Sequence, residues 1–328
     1  MADRPKPGEF EVICRHFAPL ATTPGALGLR DDAAILRPPE GHDLVLTADA
    51  LVAAVHFLED DPADLVARKL LRVNLSDLAA MGAVPLGYLL TTAWPTSLGE
   101  AWIAAFATGL FRDQAEFSIA LLGGDTVSTS GPTTLSLTAI GSVPAGSAVR
   151  RDGAGIGDGI FLTGSLGDGA LGLLAARGEL PATPPEDLDY LLQRYRLPEP
   201  RSTVGPALRG IASAMIDVSD GLVADAGHLA EASGVAVVIE RSALALSPAA
   251  ARIVATTPGH WPTILTGGDD YELLFTAVPE VLPRIEAVAR ESGVPITRVG
   301  QVGDGEGVSV LDEAGRPLAL PAAGWRHF

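Results

Sequence analysis

The stretches IALLGGDTVS, residues 119–128, and LTGGDDYELLFT, residues 265–276, each place Gly-Gly-Asp against an apolar run of the kind that forms a buried strand. Buried strands avoid charged side chains, and a pair of glycines lets the backbone turn or approach another group closely. The repeated pattern predicts a mixed α/β chain in which strands present carboxylates to a ligand.

The first half of the chain predicts one α/β domain. Its predicted elements are a strand at 43–52, a long helix at 61–83 that is capped by Gly82, and a second helix at 98–116. The segments 117–124 and 133–143 alternate apolar and small residues, which predicts two adjacent strands.

The second half predicts another α/β domain, which follows a glycine-rich, charged segment at 144–159. Its predicted elements are a strand at 160–164, three helices, a strand that ends near Asp217, a helix from an N-cap at Ser219 to about Ser233 with a stop at Gly234, and alternating elements that end in short strands near 296–320. We therefore predict domains at 1–145 and 146–328 with a cleft between them.

Composition excludes several classes of function. A net charge of −17 argues against nucleic acid or an anionic membrane as a partner, and an acidic protein that binds phosphates needs metal ions. Cys14 is the single cysteine, so disulfides and cysteine-ligated zinc are excluded. The opening residues contain no apolar signal region, and no stretch reaches membrane-spanning length, so we expect a cytoplasmic protein. Neither lysine lies in a P-loop motif.

Aspartates recur at predicted strand ends and turns, namely Asp31, Asp32, Asp49, Asp125, Asp217, Asp220, Asp269 and Asp270. Taken singly, each is explained as an ordinary turn or cap residue. That explanation fits poorly for Asp217 in AMIDV and for Asp77 in the apolar helix, because a buried carboxylate needs hydrogen bonds, a partner or a metal. Few cations lie near in sequence, so the pattern favours a shared hard cation such as Mg²⁺.

Four further features each allow an ordinary and a functional interpretation. Ser219 and Asp220 either cap a helix or offer its free N–H groups to an anion. The segment GSLGDGALG, residues 164–172, is a turn into a helix or a weak phosphate-loop signal. His56 is a structural histidine or a ligand contact, and Trp325 anchors the chain end or closes over a flat ring.

Together these motifs resemble the thiamine-monophosphate kinases, within the superfamily of aminoimidazole ribonucleotide synthetase. The resemblance runs nearly end to end, through DDAAIL, TADALVAAVHF, NLSDLAAMGA, LLGGDT, RDGAGIGD, IDVSDGL, GGDDYELLFT and GWRHF. It implies a homodimer whose N-terminal domains join their strands into a barrel, with ATP in the cleft between the two domains of a chain.

The resemblance also implies the reaction, which is direct transfer of the ATP γ-phosphoryl group to thiamine monophosphate with several Mg²⁺ ions and no phosphoenzyme. The product is thiamine diphosphate, and the step is the last of its biosynthesis. The implied metal ligands are Asp32, Thr47, Asp49, Asp77, Asp125, Asp217 and Asp220, of which Asp49, Asp77, Asp125 and Asp217 are catalytic. The implied nucleotide contacts are Gly124, Asp125, Arg151 and Ser219, and the implied substrate contacts are His56, Asp269 and Trp325.

This chemistry accounts for the carboxylates, because transfer between two anionic molecules chiefly needs positioning and charge neutralisation. A carboxylate cluster that holds Mg²⁺ supplies both and replaces the missing P-loop lysine. The attacking phosphate monoester is already ionised at neutral pH, so a protein base is not required.

Three positions depart from the family pattern. Arg30 replaces a glycine before the first Asp pair, and it would strain the loop if that position needs a positive φ. Ala48 removes a hydroxyl from the Thr47-Ala48-Asp49 turn, and Asp269 is one methylene shorter than the usual glutamate. These departures bear on single ligands and on full activity.

Two other readings stay open. One is another ATP-dependent synthetase of the superfamily, although the reactive cysteine or lysine loop of some relatives is not evident around Cys14 and Lys6. The other is a catalytically weak paralogue that binds ATP or thiamine phosphates without turnover. Retention of the metal-type aspartates argues against the paralogue.

Overall fold

The computed structural model describes residues 8–320 and Gly324, which fall into two compact units. The N-terminal unit comprises the described residues up to Leu78 together with Val84–Ala145. The C-terminal unit comprises Ala79–Ala83 and the described residues from Gly146 onward. Each unit combines its own sheet with helices, so the predicted mixed α/β fold class is confirmed.

The sheet of the N-terminal unit has four strands in the order β1-β4-β2-β3. They are β1 His42–Val52, β2 Val84–Pro95, β3 Leu121–Thr129 and β4 Thr134–Pro144. β4 runs antiparallel to β1 and to β2, whereas β2 and β3 are parallel. The prediction that the strands at 117–124 and 133–143 are adjacent is wrong, because β2, which the sequence analysis did not identify, lies between them. A crossover through a helix places β3 parallel to β2, on the side away from β4.

The helices of this unit are α1 Glu9–Val12, α2 Ala63–Ala80 and α3 Glu100–Phe117, and a π-helical turn at Ile13–Phe17 and 3-10 turns at Ala18–Leu20 and Pro24–Leu29 complete it. Most apolar side chains of α2 are buried, which explains its long apolar pattern. Gly82 follows α2 with φ +69, as the predicted C-terminal cap requires.

The two faces of this sheet differ. One face is buried against the helices, where Trp94 of β2 lies 5.4 Å, between ring centroids, from both Trp102 and Phe106 of α3. The opposite face, which we call the open face, exposes the apolar side chains Leu44, Leu46, Leu89 and Val127. Because side chains alternate along a strand, neighbouring residues of β1 or β3 lie on different faces.

The sheet of the C-terminal unit has six strands in the order β10-β7-β9-β5-β8-β6. They are β5 Gly159–Thr163, β6 Ala214–Asp217, β7 Ala236–Glu240, β8 Leu273–Ala277, β9 Ile296–Gly303 and β10 Gly307–Leu311. The helices are α4 Asp168–Ala176, α5 Pro185–Arg196, α6 Val204–Ala207, α7 Leu222–Ser233, α8 Pro248–Thr256, α9 Trp261–Thr266 and α10 Leu282–Ser292. The predicted strand at 160–164 and the helix stop at Gly234 are confirmed.

In the part of the chain that the structure describes, none of the helices combines the length and the apolar character needed to cross a bilayer.

Candidate active site

A first group of predicted ligands meets where β1 faces α2. The Thr47 hydroxyl donates a hydrogen bond to the Asp77 carboxylate. The backbone N–H of Asp49 donates to Asn74 Oδ1 at 3.1 Å, and Asn74 Nδ2 donates to the Leu70 carbonyl at 2.9 Å. Asn74 thereby fixes the end of β1 on the helix. The structure brings together Thr47, Asp49 and Asp77, and we call them the β1–α2 cluster.

The Ala48 departure does not remove a hydroxyl from this cluster. Ala48 is exposed, whereas Thr47 and Asp49 are half-buried, because alternation along β1 turns residue 48 to the open face. A hydroxyl at this position would therefore point away from Asp77 within one chain.

A second group of predicted ligands lines a cavity of about 520 Å³ on the open-face side of the sheet. Its walls combine apolar side chains of the N-terminal segment, including Phe17, with Leu89 and Ile140. Asp31, Asp32 and Asp125 supply the carboxylates. A largely apolar cavity of this size with a few polar groups is typical of a small-molecule site.

The loop that carries Asp32 tolerates Arg30. The backbone of Arg30 has φ −111, so the expected strain at this position does not occur. The positive φ values fall instead on Leu27, Gly28 and Leu29, at 52, 66 and 55. The loop closes through a 2.8 Å hydrogen bond from the Ile35 N–H to the Gly25 carbonyl. The left-handed backbone conformation that was expected at position 30 is thus adopted by the residues directly before it.

The first Gly-Gly-Asp lies inside β3 rather than at its end. Gly124 has φ +154, and a Cβ there would stand 1.8 Å from the Leu90 carbonyl oxygen, so only glycine fits between β3 and β2. The Thr126 N–H donates to Asp125 Oδ1 at 2.8 Å, which orients an otherwise exposed carboxylate.

Asp49 and Asp125 lie on the two edge strands of the sheet. Three strand spacings separate β1 from β3, which is about 14 Å across the sheet. Strand pairing places Asp49 level with Leu137, Leu90 and Gly124, so Asp49 and Asp125 also face opposite sides. A single Mg²⁺ with ligands at about 2.1 Å is not shared by these two residues of one chain. Across the described residues, no three His, Cys, Asp or Glu side chains are grouped so as to hold a metal ion.

His56 lies in a tight loop directly after β1. Its ring Nδ1 accepts a 3.1 Å hydrogen bond from the backbone N–H of Val52. The backbone N–H of His56 donates to the Val52 carbonyl at 2.9 Å. Lys69, which is buried, donates to the His56 carbonyl at 3.4 Å. Because Nδ1 accepts, the ring proton is on Nε2.

In the C-terminal unit, the end of β6 leads Asp217 into the loop that carries Ser219 and Asp220. Asp217 is buried, with 3% of its surface exposed. The prediction that Ser219 caps α7 is wrong, since the helix begins at Leu222 and Gly221 is its N-cap. Instead, the side chain of Asp225, in the first turn of α7, turns back toward the loop that precedes the helix.

Asp225 Oδ2 accepts hydrogen bonds from the backbone N–H groups of Ser219, Asp220 and Gly221, at 3.0 to 3.1 Å. These three N–H groups are therefore not available to an external anion in this arrangement. Burial raises the pKa of Asp225 to about 7, and the charge of Asp220 acts in the same direction, while the three N–H donors oppose it.

The second Gly-Gly-Asp is also placed differently from the expectation. Helix α9, and not a strand, precedes it, and its residues form a loop that packs against residues 218–221. Asp269 is half-buried and accepts a 3.1 Å hydrogen bond from the Tyr271 hydroxyl. Asp270 is buried, and its carboxylate accepts from the N–H groups of Gly167 and Gly169 at 2.7 and 2.9 Å.

Residues 164–169 are therefore held by a side chain of the same unit. Burial raises the pKa of Asp270 to about 8, against the effect of its two N–H donors. Of the two interpretations of GSLGDGALG, the turn into a helix is confirmed, because α4 begins at Asp168.

Two more buried carboxylates stabilise this region. Glu272 accepts from Thr163 at 2.6 Å and from Arg201 Nε at 2.6 Å, and Arg194 lies 3.3 Å away. Asp168 accepts from the hydroxyls of Ser165 and Tyr190 at 2.6 and 2.9 Å. Buried charges that are paired and hydrogen-bonded in this way make the loop region rigid.

The remaining predicted contacts are Arg151 and Trp325. Arg151 is exposed, and its carbonyl accepts a 2.7 Å hydrogen bond from Ser233. Trp325 lies outside the described residues.

The sequence analysis did not predict that Asp225 binds the N–H groups of the loop before α7. It also did not predict that Asp270, unlike Asp269, is bound to another loop. A weak signal existed for Asp225, because an acid in the first turn of a helix suits the free N–H groups there.

Comparison with known proteins agrees with this architecture. A family model of the AIR synthase related protein N-terminal domain matches residues 30–143, and a model of the corresponding C-terminal domain matches residues 155–313. The thiamine-monophosphate kinase of Caulobacter vibrioides is 45% identical over 326 residues, which cover 98% of this chain and 91% of that protein. The chain belongs to the thiamine-monophosphate kinase family.

Solved structures of thiamine-monophosphate kinases share the fold. The enzyme from Stenotrophomonas maltophilia K279a superposes with a TM-score of 0.80 at 42% identity, over 88% of this chain and 90% of that one. AaThiL complexed with AMPPCP and TMP superposes with a TM-score of 0.78 at 32% identity, over 91% of each chain. The resemblance inferred from the motifs, and the enzyme class it implied, are confirmed at the level of the family.

Proposed function

We propose that this protein transfers the γ-phosphoryl group of ATP directly to thiamine monophosphate and forms thiamine diphosphate. The observation that carries the proposal is the match over 98% of the chain to a thiamine-monophosphate kinase, combined with retention of the family aspartates. The superposition on a structure whose ligands are AMPPCP and TMP supports the same two substrates.

We assign the nucleotide to the cavity beside β3. Its apolar walls suit a purine ring, and Asp32 and Asp125 stand where a metal-bound phosphate chain needs carboxylates. Gly124 also lines this cavity, so we assign it a backbone contact with the nucleotide. Nucleotide contacts by Arg151 and Ser219 remain predictions from the resemblance. The same holds for the position of ATP in a cleft between the two domains.

The donor set of the β1–α2 cluster fits a hard cation. Thr47, Asp49 and Asp77 offer hydroxyl and carboxylate oxygens, and the hydrogen bond between Thr47 and Asp77 supports their binding of a common ion. Thr47, Asp49 and Asp77 would hold Mg²⁺ there, with Asp32, Asp125, Asp217 and Asp220 as the further predicted ligands. Bound Mg²⁺ supplies charge neutralisation and alignment of the two phosphate groups.

The substrate contacts are assigned to His56, Asp269 and Trp325. The Val52 N–H holds His56 with its ring proton on Nε2, so the ring offers a donor to the substrate. The half-buried Asp269 carboxylate complements the cationic thiazolium ring. The substrate phosphate is the nucleophile and is already ionised at neutral pH, so the chain only has to orient it.

We also propose a homodimer built on the open face. Exposed Leu44 and Leu46 on β1 and Val127 on β3 form an apolar surface that a second copy would cover. If the two edges join into a barrel, β1 of one copy lies beside β3 of the other. Asp49 of one copy and Asp125 of the other would then lie on neighbouring strands, on opposite faces of the joined sheet.

The dimer is tested by sedimentation of Leu46→Glu beside the matched control Ile156→Glu, an exposed apolar residue of the C-terminal unit. We expect monomers only for the first variant. A Leu46→Glu protein that sediments like the wild type would contradict the assignment of the open face.

The activity is tested by incubating the purified protein with ATP, Mg²⁺ and thiamine monophosphate and measuring thiamine diphosphate by chromatography. Product should depend on ATP and disappear with EDTA. ATP binding without product, even in a single turnover, would instead support the non-catalytic paralogue. The unstrained backbone of Arg30 removes one of the two reasons for that alternative.

A further inference from the structure

The adjacent residues Asp269 and Asp270 have different surroundings. The Asp269 carboxylate is half-buried and contacts the Tyr271 hydroxyl. The Asp270 side chain is only 1% exposed, and both of its oxygens bind backbone N–H groups of another loop, Oδ2 that of Gly167 and Oδ1 that of Gly169. Asp270 is thus enclosed in protein and does not reach a ligand directly.

The backbone around Asp270 is strained on both sides. Asp269 has φ +72 and Tyr271 has φ +53, and neither is a glycine. Non-glycine residues in this region cost about 1–3 kcal/mol each and persist only where surrounding contacts impose the conformation. The chain supplies such contacts on one side, because the Asp269 and Tyr271 N–H groups donate to the Ser219 and Val218 carbonyls at 2.9 and 2.8 Å.

The other side is closed by residues 164–169. A Cβ on Gly169 would stand 2.2 Å from the Asp269 carbonyl oxygen, so the two loops touch backbone to backbone. The Asp270 carboxylate spans this contact, and its hydrogen bonds to Gly167 and Gly169 hold the loops together. Loss of these bonds would let the strained turn relax and move the Asp269 carboxylate.

We propose that Asp270 is a positioning residue, which clamps residues 164–169 and so keeps Asp269 in the left-handed conformation that presents its carboxylate to the thiamine ring of the substrate. This inference rests on the proposed function in one respect, the contact between Asp269 and thiamine monophosphate. It assigns the two acids of the GGDD motif different tasks, substrate contact for the first and loop geometry for the second.

The test compares steady-state constants of the full chain and its Asp270→Asn and Asp269→Asn variants. The asparagine at position 270 keeps one acceptor but places an amide N–H₂ group against the second backbone N–H. We expect the KM for thiamine monophosphate to rise about tenfold, equivalent to about 1.4 kcal/mol, in both variants, while the KM for ATP stays within about twofold. If the KM for ATP rose as much as the KM for thiamine monophosphate in Asp270→Asn, the proposal would be overturned.

The matched control is Asp187→Asn. Asp187 is another buried carboxylate of the C-terminal unit, 3% exposed and bound to Arg252, and it lies on α5 rather than in the loops. A purely structural effect of replacing a buried acid of this unit should appear here too. A rise in the KM for thiamine monophosphate in this variant that equals the rise in Asp270→Asn would refute a positioning role.

The double variant Asp269→Asn with Asp270→Asn separates direct from indirect action. If Asp270 acts through Asp269, the double variant has the KM of Asp269→Asn alone, because the second change has nothing left to position. Additive effects would contradict the proposal. Should Asp270→Asn fail to fold, Gly169→Ala displaces Asp269 from the other side and should raise the same KM.

Amide hydrogen exchange gives a readout that does not need turnover. Asp270→Asn should speed exchange at residues 164–171 and 267–271 and leave α5 unchanged. Unchanged exchange would refute the clamp itself, whereas faster exchange in a protein whose wild type forms no thiamine diphosphate would refute the proposed function and with it the link to this substrate.

Discussion

The two units use aspartate in different ways. In the N-terminal unit, Asp32 and Asp125 are exposed and Asp49 and Asp77 are half-buried, so their oxygens can be reached by an ion. In the C-terminal unit, Asp168, Asp225, Asp270 and Glu272 are buried, and each already accepts hydrogen bonds from its own unit. These four acids of the N-terminal unit are therefore accessible to a ligand, whereas these four acids of the C-terminal unit hold parts of their own unit together.

The difference shows what decides the role of an acid. Buried carboxylates are stable only when hydrogen-bond donors of the protein surround them. The oxygen lone pairs that accept these bonds are then not available to coordinate a metal. An exposed carboxylate stays hydrated, so it costs the folded state little free energy, and its oxygens can coordinate a cation. Asp217 stands between the two groups, because it is buried yet follows a strand directly into the Ser219 loop.

The largest effect is expected where an open carboxylate is neutralised. Asp49→Asn should lower kcat by roughly 100- to 1,000-fold, because it removes charge from the place where the phosphates are neutralised. The folded state should keep its stability, since the bond between the Asp49 backbone and Asn74 does not involve the side chain. The control Asp43→Asn, an exposed acid of the same strand, should stay active. Equal activity in the two variants would place the metal elsewhere.

Mixing two inactive chains tests whether one site draws on residues of both copies. If Asp49 of one copy and Asp125 of the other complete a site, co-expressed Asp49→Asn and Asp125→Asn chains form heterodimers with one intact site. Random pairing then returns about one quarter of the wild-type activity. Activity no higher than that of either variant alone would mean that each site is built within a chain.

Among the clamps, Asp225 offers a direct comparison of charge and hydrogen bonding. Asp225→Ala leaves the N–H groups of Ser219, Asp220 and Gly221 without their acceptor and should cost about 1–3 kcal/mol in the free energy of unfolding. Asp225→Asn keeps an oxygen in place and should cost much less. Urea titrations of the two variants measure the difference, and equal losses would show that the charge, rather than the acceptor, matters.

The last comparison concerns the dependence of stability on pH. The pKa of Asp270 is about 8 in the folded chain, above its ordinary value of 3.8, so the folded state keeps a proton that the unfolded state releases. The free energy of unfolding should therefore fall as pH rises between about 4 and 8, by at most about 1.4 kcal/mol per pH unit from this group. Asp270→Asn should flatten that slope. A slope unchanged in the variant would show that Asp270 is ionised throughout this range.

Much of the fold could be predicted from local patterns. The strand at 43–52, the long helix with its Gly82 cap and the strand at 160–164 follow from periodicity and capping chemistry. The position of β2 could not, because strand order depends on the crossover through α3 and not on the sequence of β3 or β4. The run VPLGYLLTTAWP carries a strand pattern that helix and motif signals on either side obscured.

The family resemblance supplied candidate residues for the site but not their geometry. The meeting of Thr47, Asp49 and Asp77 could be anticipated from the motifs, whereas the separation of Asp49 from Asp125 needed the strand register. The N-cap prediction for Ser219 failed because Asp225, six residues later, binds the same N–H groups more effectively. The strand register, by contrast, depends on long-range pairing, which leaves little trace in a single sequence.

The most direct test of the contrast between open and buried acids is a titration with Mn²⁺, in place of Mg²⁺, followed by electron paramagnetic resonance in the presence of a non-hydrolysable ATP analogue. The wild type should bind several ions, Asp49→Asn should lose at least one, and Asp270→Asn should bind as many as the wild type. Loss of an ion in Asp270→Asn, or an unchanged number in Asp49→Asn, would contradict the division of roles between the two units.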